Sequence, residues 1–219
     1  LCDRFSLAMR AEPFFTAMPF DARILLDRTG RERLRRFLAN QPRTTIQALE
    51  QLVEMHVPFA GREARLHGYV DRIDLRDGER LVIDYKTGRV QKAKRGLWSD
   101  AALWEALERW QPDAGPEDDP LQRLAELVGS TQMPLYMLLC GDGETPPPAA
   151  AAWVELADEG KEISFFPGKM VKEERRAFVN DLTPRLLAFL LRHMAEAPVF
   201  APVPGERCRF CDVRGPCGA

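Results

Sequence analysis

The stretch Gly68–Gly88, GYVDRIDLRDGERLVIDYKTG, decides how the rest of the chain is read. Two short apolar runs that carry acids flank Asp77-Gly78, the strongest short-range signal for a two-residue hairpin turn. A turn centred there sets Asp71 opposite Asp84 and Tyr69 opposite Lys86. Side chains alternate along a strand, so Asp71, Asp84 and Lys86 share one face while Leu81, Ile83 and Tyr85 project to the other. Like charges directly opposite in a sheet repel, and a carboxylate held near another has its pKa raised. A divalent cation removes the conflict, because hard ions such as Mg²⁺ bind through one or two carboxylates plus substrate phosphate. The adjacent lysine can orient or help deprotonate the attacking water, or stabilise charge developing on a phosphate.

The pattern itself is more specific than the spacing. Gly68-x-x-Asp71-Arg72-x-Asp74, a turn, then Ile83-Asp84-Tyr85-Lys86-Thr87-Gly88 resembles the active-site hairpin of PD-(D/E)XK nucleases of the RecB family. The resemblance implies an α/β, restriction-endonuclease-like core: a small mixed sheet flanked by helices, with the acidic hairpin at its centre. It also implies that Asp71 and Asp84 hold Mg²⁺ or Mn²⁺, that the Tyr85 carbonyl adds a ligand, and that Lys86 works on the attacking water. A Gln-x-x-x-Tyr motif often follows on a helix in this family, and Gln132-Met-Pro-Leu-Tyr136 matches it. Four residues apart, the Gln132 and Tyr136 side chains share one helix face. Glu54 resembles an acid that some relatives place at the start of the first strand, as a third metal ligand or a water-holding base. One departure stands out: many relatives place a histidine ligand upstream within Gly-x-x-x-His, and here the nearest stretch is Gly30-Arg-Glu-Arg-Leu34. His56 and His67 are read as structural or surface residues.

At 219 residues, with 45% hydrophobic and 29% charged, the chain can bury a core of its own and reads as a single domain over residues 1–219. It begins with Leu1, which reads as a piece cut from a longer protein. No apolar segment reaches membrane-spanning length and nothing resembles a secretion signal, so the expected compartment is the cytoplasm. A formal charge of −2 excludes a generally basic DNA-coating protein, so contact with nucleic acid must be local. Arg89, Lys92, Lys94 and Arg95 directly after the catalytic strand, with no acid among them, supply such a place.

Five cysteines do not close a set of disulfides. Cys208-x-x-Cys211-x5-Cys217 ends the chain, Cys2 begins it, and Cys140 lies in an apolar run and reads as packing. By spacing alone, zinc and an iron–sulfur cluster fit the four terminal thiolates equally well. An upstream cysteine followed, beyond the nuclease motifs, by C-x2-C-x5-C looks like the iron–sulfur staple of AddB-type helicase–nuclease subunits. That resemblance favours a cluster joining the two termini.

Elsewhere, Leu34, Phe37 and Leu38, then Ile46, Leu49, Leu52 and Val53, recur at helical spacing and are expected to pack inward. Ser99 is expected to cap a helix carrying Leu103, Trp104, Leu107 and Trp110. Strands are expected at Ala151–Leu156 and Ile163–Phe166, and an amphipathic helix interrupted at Pro184 over Lys172–Met194.

The reading is a Mg²⁺-dependent deoxyribonuclease, an exonuclease rather than an endonuclease. It implies DNA, as single-stranded ends, and a helicase domain or subunit of a parent complex as partners in DNA recombination and repair. Two alternatives remain: a catalytically inactive nuclease-fold module that binds DNA or serves structure, for which the missing histidine argues, and a zinc-stapled adaptor, which leaves the hairpin unexplained.

Overall fold

A computed structural model describes residues 1–59, 61–113, 115, 118–157, 159–197, 208 and 211. Three helices open the chain, α1 (Cys2–Ala11), α2 (Pro13–Ala17) and α3 (Phe20–Asn40). The sheet follows as β1 (Thr45–Phe59), β2 (Arg62–Arg76) and β3 (Glu79–Lys86). Helices α4 (Gly96–Ser99), α5 (Ala101–Arg109), α6 (Leu121–Val128) and α7 (Gln132–Leu139) then lead to β4 (Ala151–Glu155) and β5 (Glu162–Ser164). The last described helices are α8 (Lys172–Ala177) and α9 (Thr183–Glu196). The strands form one five-stranded sheet in the order β1-β2-β3-β4-β5, antiparallel except for β3 beside β4. The result is a small mixed sheet flanked by helices.

The turn at Asp77 and Gly78 forms as its sequence requires, with φ of 49° and 77° at the two residues. It fixes the register of β2 against β3, from Arg76–Glu79 at the turn to Arg72–Ile83. The parallel neighbour β4, Ala151 to Val154 buried throughout, then covers the far edge of β3. Strand β3 is thus flanked on both sides, by β2 and by β4.

Below the hairpin lies the apolar core, in which Val70, Ile73 and Val82 meet Met133 and Met137 of α7, Trp153 of β4 and Leu186 and Phe189 of α9. Each such side chain, fully buried, contributes about 1.5–3 kcal/mol. Trp104 and Trp110 are buried in the same cluster, as their helical spacing predicts. Asp100, and not Ser99, caps α5, its carboxylate accepting from the Leu103 amide at 3.1 Å. The interruption of the long C-terminal helix is a π-helical turn, Phe178–Leu182, just before Pro184. Proline has no amide hydrogen and disrupts the preceding turn, and Thr183 Oγ1 donates to the Phe178 carbonyl at 3.1 Å there.

One expectation fails. Residues 46–53 form strand, not helix, and Ile46, Leu49 and Leu52 are 51%, 60% and 44% exposed, while Val53 alone points into the core. The pairing of β1 with β2 shifts register between Ile46 and Ala48, and Glu50, placed opposite Asp71 by the pairs on either side, has φ of 48°. Both irregularities break strict alternation, so a strand acquires an apolar spacing that imitates a helix. Nor does α3 bury Leu38, which is 47% exposed; Phe37 alone of the three expected residues makes a ring contact, edge-on to Tyr85 at 5.6 Å.

Candidate active site

Asp71 and Asp84 leave adjacent strands at the core-facing end of the hairpin. One step past the last recorded pair, the Tyr85 amide donates to Asp71 Oδ2 at 2.7 Å, so the first acid is held by the backbone of the strand that carries the second. Asp84 is only 3% exposed, because β4 closes over it on one side and the core on the other. Its Oδ2 lies 2.7 Å from Lys86 Nζ, and beyond that contact no donor among the described residues reaches this enclosed oxygen. Burial pushes the Asp84 carboxyl above its ordinary value; the Lys86 ammonium pulls it back and the Asp71 charge adds to the rise.

The lysine is held in turn. Lys86 Nζ donates to Gln132 Oε1 at 2.7 Å, and Gln132 Nε2 donates to the Tyr136 hydroxyl at 3.0 Å. Tyr136 also lies against Gly68, where an added Cβ would sit 2.8 Å from the ring. A side chain there would displace the tyrosine. Glycine at this position therefore lets one helix touch both strands of the hairpin, Lys86 through Gln132 and Gly68 through Tyr136.

The opposite face carries a network that the reading of the sequence missed. Arg72, Asp74 and Arg76 alternate with Ile73 and Leu75, so they share a face, and that alternation was the signal that could have found them. Asp74 is fully buried; Arg72 grips it through Nε and Nη2 at 2.6 and 2.7 Å, and Arg76 Nη2 adds a third contact at 2.6 Å. Arg76 also forks onto Glu162 of β5, at 2.7 and 2.6 Å. Burial alone raises the Asp74 pKa, but the hydrogen bonds from Arg72 and Arg76 outweigh it and hold the carboxyl below its ordinary range. Arg72 Nη1 further donates to the Tyr85 hydroxyl at 3.2 Å. The same tyrosine thus links the ionic network behind the sheet to the amide that holds Asp71 in front of it.

Of the other expected site residues, Glu54 lies apart from this centre. Glu54 sits mid-strand in β1, opposite His67, and its carboxylate takes both Nε and Nη2 of Arg65, at 3.1 and 2.5 Å. The hydrogen bond and charge of Arg65 lower its pKa. Among the described residues no three His, Cys, Asp or Glu side chains form a group that could hold a metal ion. His56 lies against Glu63 at 3.1 Å, on the exposed ribbon. Arg89, Lys92, Lys94 and Arg95 are all exposed, on the segment leaving β3 beside Lys86. Cys2 lies on α1 with Sγ 3.8 Å from the Arg31 carbonyl, and Cys211 donates its amide to the Cys208 carbonyl at 3.3 Å. Cys217 falls outside the described residues. Cys140 is buried, and burial pushes its thiol up to about 11. Gly30, which opens the stretch nearest to the Gly-x-x-x-His pattern, lies in α3 against the Phe5 ring.

A family model describing the PD-(D/E)XK nuclease superfamily matches residues 3–218, and the chain belongs to that superfamily. No curated protein matches it. Nucleases of this superfamily generally use Mg²⁺ or Mn²⁺. The donors present suit such an ion: two carboxylates on neighbouring strands, one with an enclosed oxygen that, among the described residues, an ammonium alone approaches.

Proposed function

We propose that this chain hydrolyses DNA phosphodiester bonds, with a divalent cation held by Asp71, Asp84 and the Tyr85 carbonyl. The observation that carries the reading is Asp84: a buried carboxylate whose charged form is disfavoured, beside a second acid and a tethered lysine. A protein keeps so costly a group where it holds a cation or does chemistry. When bound, Mg²⁺ or Mn²⁺ supplies charge neutralisation at the phosphoryl oxygens and lowers the pKa of a water. Lys86 Nζ, tethered to Asp84 and Gln132, orients the attacking water and presents positive charge to the phosphate. Gln132 and Tyr136 hold the lysine and the hairpin in place without binding metal, since neither side chain competes with carboxylates for a hard ion. Arg89, Lys92, Lys94 and Arg95 hold the DNA backbone as it approaches.

The test is cleavage of labelled single- and double-stranded DNA with Mg²⁺, with Mn²⁺ and with chelator. Cleavage only with a divalent ion is expected; cleavage unaffected by chelator, or none under any condition, rejects the reading. Degradation from ends but not of closed circles is the further expectation for an exonuclease.

The cysteine pattern supports a finer proposal, a nuclease domain of an AddB-like helicase–nuclease in recombinational repair, with Cys2, Cys208, Cys211 and Cys217 binding a structural iron–sulfur cluster. Thiolates in this number suit such a cluster, whose loss destabilises the fold it ties. Chain prepared without oxygen is expected to be brown. Cys208→Ala should bleach it and lower its melting temperature, whereas Cys140→Ala should leave the colour unchanged. Stoichiometric zinc in the anaerobic protein would replace the cluster by a zinc staple.

A further inference from the structure

Beside the acids, on the Lys86 side, a cavity of about 300 Å³ opens between the segment after β3 and the start of α7. Lys86, Arg89, Gln91, Ser130 and Gln132 give it polar walls, and Val90 and Trp153 its apolar surface. The volume lies at the lower end of the range for small-molecule sites, roughly 300–1,000 Å³.

The walls are built rather than loosely draped. Glu155, opposite Lys86 across the parallel strands, accepts the Val90 amide at 2.5 Å. The Lys94 amide donates to the Leu127 carbonyl at 2.7 Å, which fastens the far end of the segment to α6. Gly129, at φ of 66°, lies so close beneath that a Cβ would stand 2.7 Å from the Gln91 carbonyl oxygen. Ser130 Oγ accepts the Gln132 amide at 3.3 Å and so joins the cavity rim to the residue that holds the catalytic lysine. Lys92, Lys94 and Arg95 do not line this hollow, so Arg89 is distinguished from the other cations of its segment.

We propose that this hollow is a nucleotide subsite, which takes the nucleotide next to the bond being cut, with Arg89 on its phosphate and Gln91 and Ser130 on its sugar and base. The assignment rests on the nuclease reading, because the position beside Lys86 and Asp84 is what makes the ligand a nucleotide. Guanidinium recognises phosphate through paired donors, and the polar rim with an apolar surface suits a nucleoside better than bare phosphate.

The experiment titrates the chain, in chelator, with thymidine 5′-monophosphate and separately with inorganic phosphate, and follows heat and backbone amide shifts. The nucleotide is expected to bind without metal, to shift the Val90 and Ser130 amides, and to bind more tightly than phosphate. Arg89→Ala is expected to weaken it about tenfold, the loss of one charge-assisted contact. Nucleotide that leaves those amides unmoved, or binds Arg89→Ala as it binds the unaltered chain, overturns the subsite even if the chain cleaves DNA. Phosphate binding as tightly as the nucleotide overturns it in favour of a simple anion site. Arg89-dependent nucleotide binding by a chain that cleaves no DNA under any divalent ion keeps the subsite and rejects the nuclease.

Discussion

Asp84→Asn is expected to leave the chain folded while lowering its cleavage of DNA on the order of a thousandfold. The substitution keeps the shape of the side chain and removes the charge that a cation needs; loss of comparable charge stabilisation in other active sites costs about 10²–10³ in rate. Folding should not suffer. Burial already raises the Asp84 pKa, so the folded state holds a proton there more tightly than the unfolded chain does. Stability from this group is therefore full at low pH and lost as pH rises through its raised value. In chelator at neutral pH the asparagine variant should melt no lower than the unaltered chain. The pH dependence of cleavage runs the other way, because a proton competes with the cation: activity should fall as pH drops through the raised Asp84 pKa. A folded Asp84→Asn chain that cleaves at the unaltered rate would sink the assignment, as would a rate that stays flat into acid.

The largest effect on stability is expected at Asp74, behind the sheet. Asp74→Ala leaves the buried Arg72 guanidinium with only the neutral Gln41 and Tyr85 oxygens and Arg76 with Glu162 as its one carboxylate, around a site with no exposure to water. Removing one partner of a buried ionic group costs about 3–5 kcal/mol, a large share of the roughly 5–15 kcal/mol that holds a typical domain together. For a chain of this length that corresponds to a fall in melting temperature on the order of 10 °C. The sign with pH is opposite to that of Asp84. The arginines hold the folded Asp74 pKa below its unfolded value. Its contribution is present above the unfolded carboxylate value, near about 4, and lost as pH falls through the depressed folded value. The gap between the two proteins should therefore narrow in acid. Replacing Arg72 as well should cost less than the sum of the single losses, since the second change removes a charge already left unpaired. An Asp74→Ala chain melting within about 2 °C of the unaltered one would show the network to be dispensable.

The hairpin was legible because its information is local. Asp77-Gly78 fixes the turn, the turn fixes the register, and the register brings Asp71 and Asp84 to adjacent strands. Gln132 was legible as a motif, but its contact with Lys86 depends on where α7 docks, which spacing does not specify. Asp74 lies inside the quoted motif and still went unread as a structural charge, because the network it anchors closes through Arg76 onto Glu162, far along the chain on another strand. The exposed Ile46, Leu49 and Leu52 misled for a different reason. A register shift and one left-handed residue changed the period of a strand, and neither leaves a turn residue such as glycine to mark it.

The parallel pairing of β3 with β4 sets an order of assembly. The acids stand on a hairpin closed by a two-residue turn, among the fastest contacts a chain can make. Lys86 acquires Gln132 only when α7 docks, and the Glu155 that steadies the segment beyond it only when the chain has crossed over and returned as β4. Long-range pairing of that kind is slow. During synthesis or refolding the acids are therefore expected to be neighbours before the lysine finds its place, so that under the proposed function the chemistry would be armed last. Lesions in the crossover helices should prolong the delay between the two, leaving the acids paired and the lysine unguided.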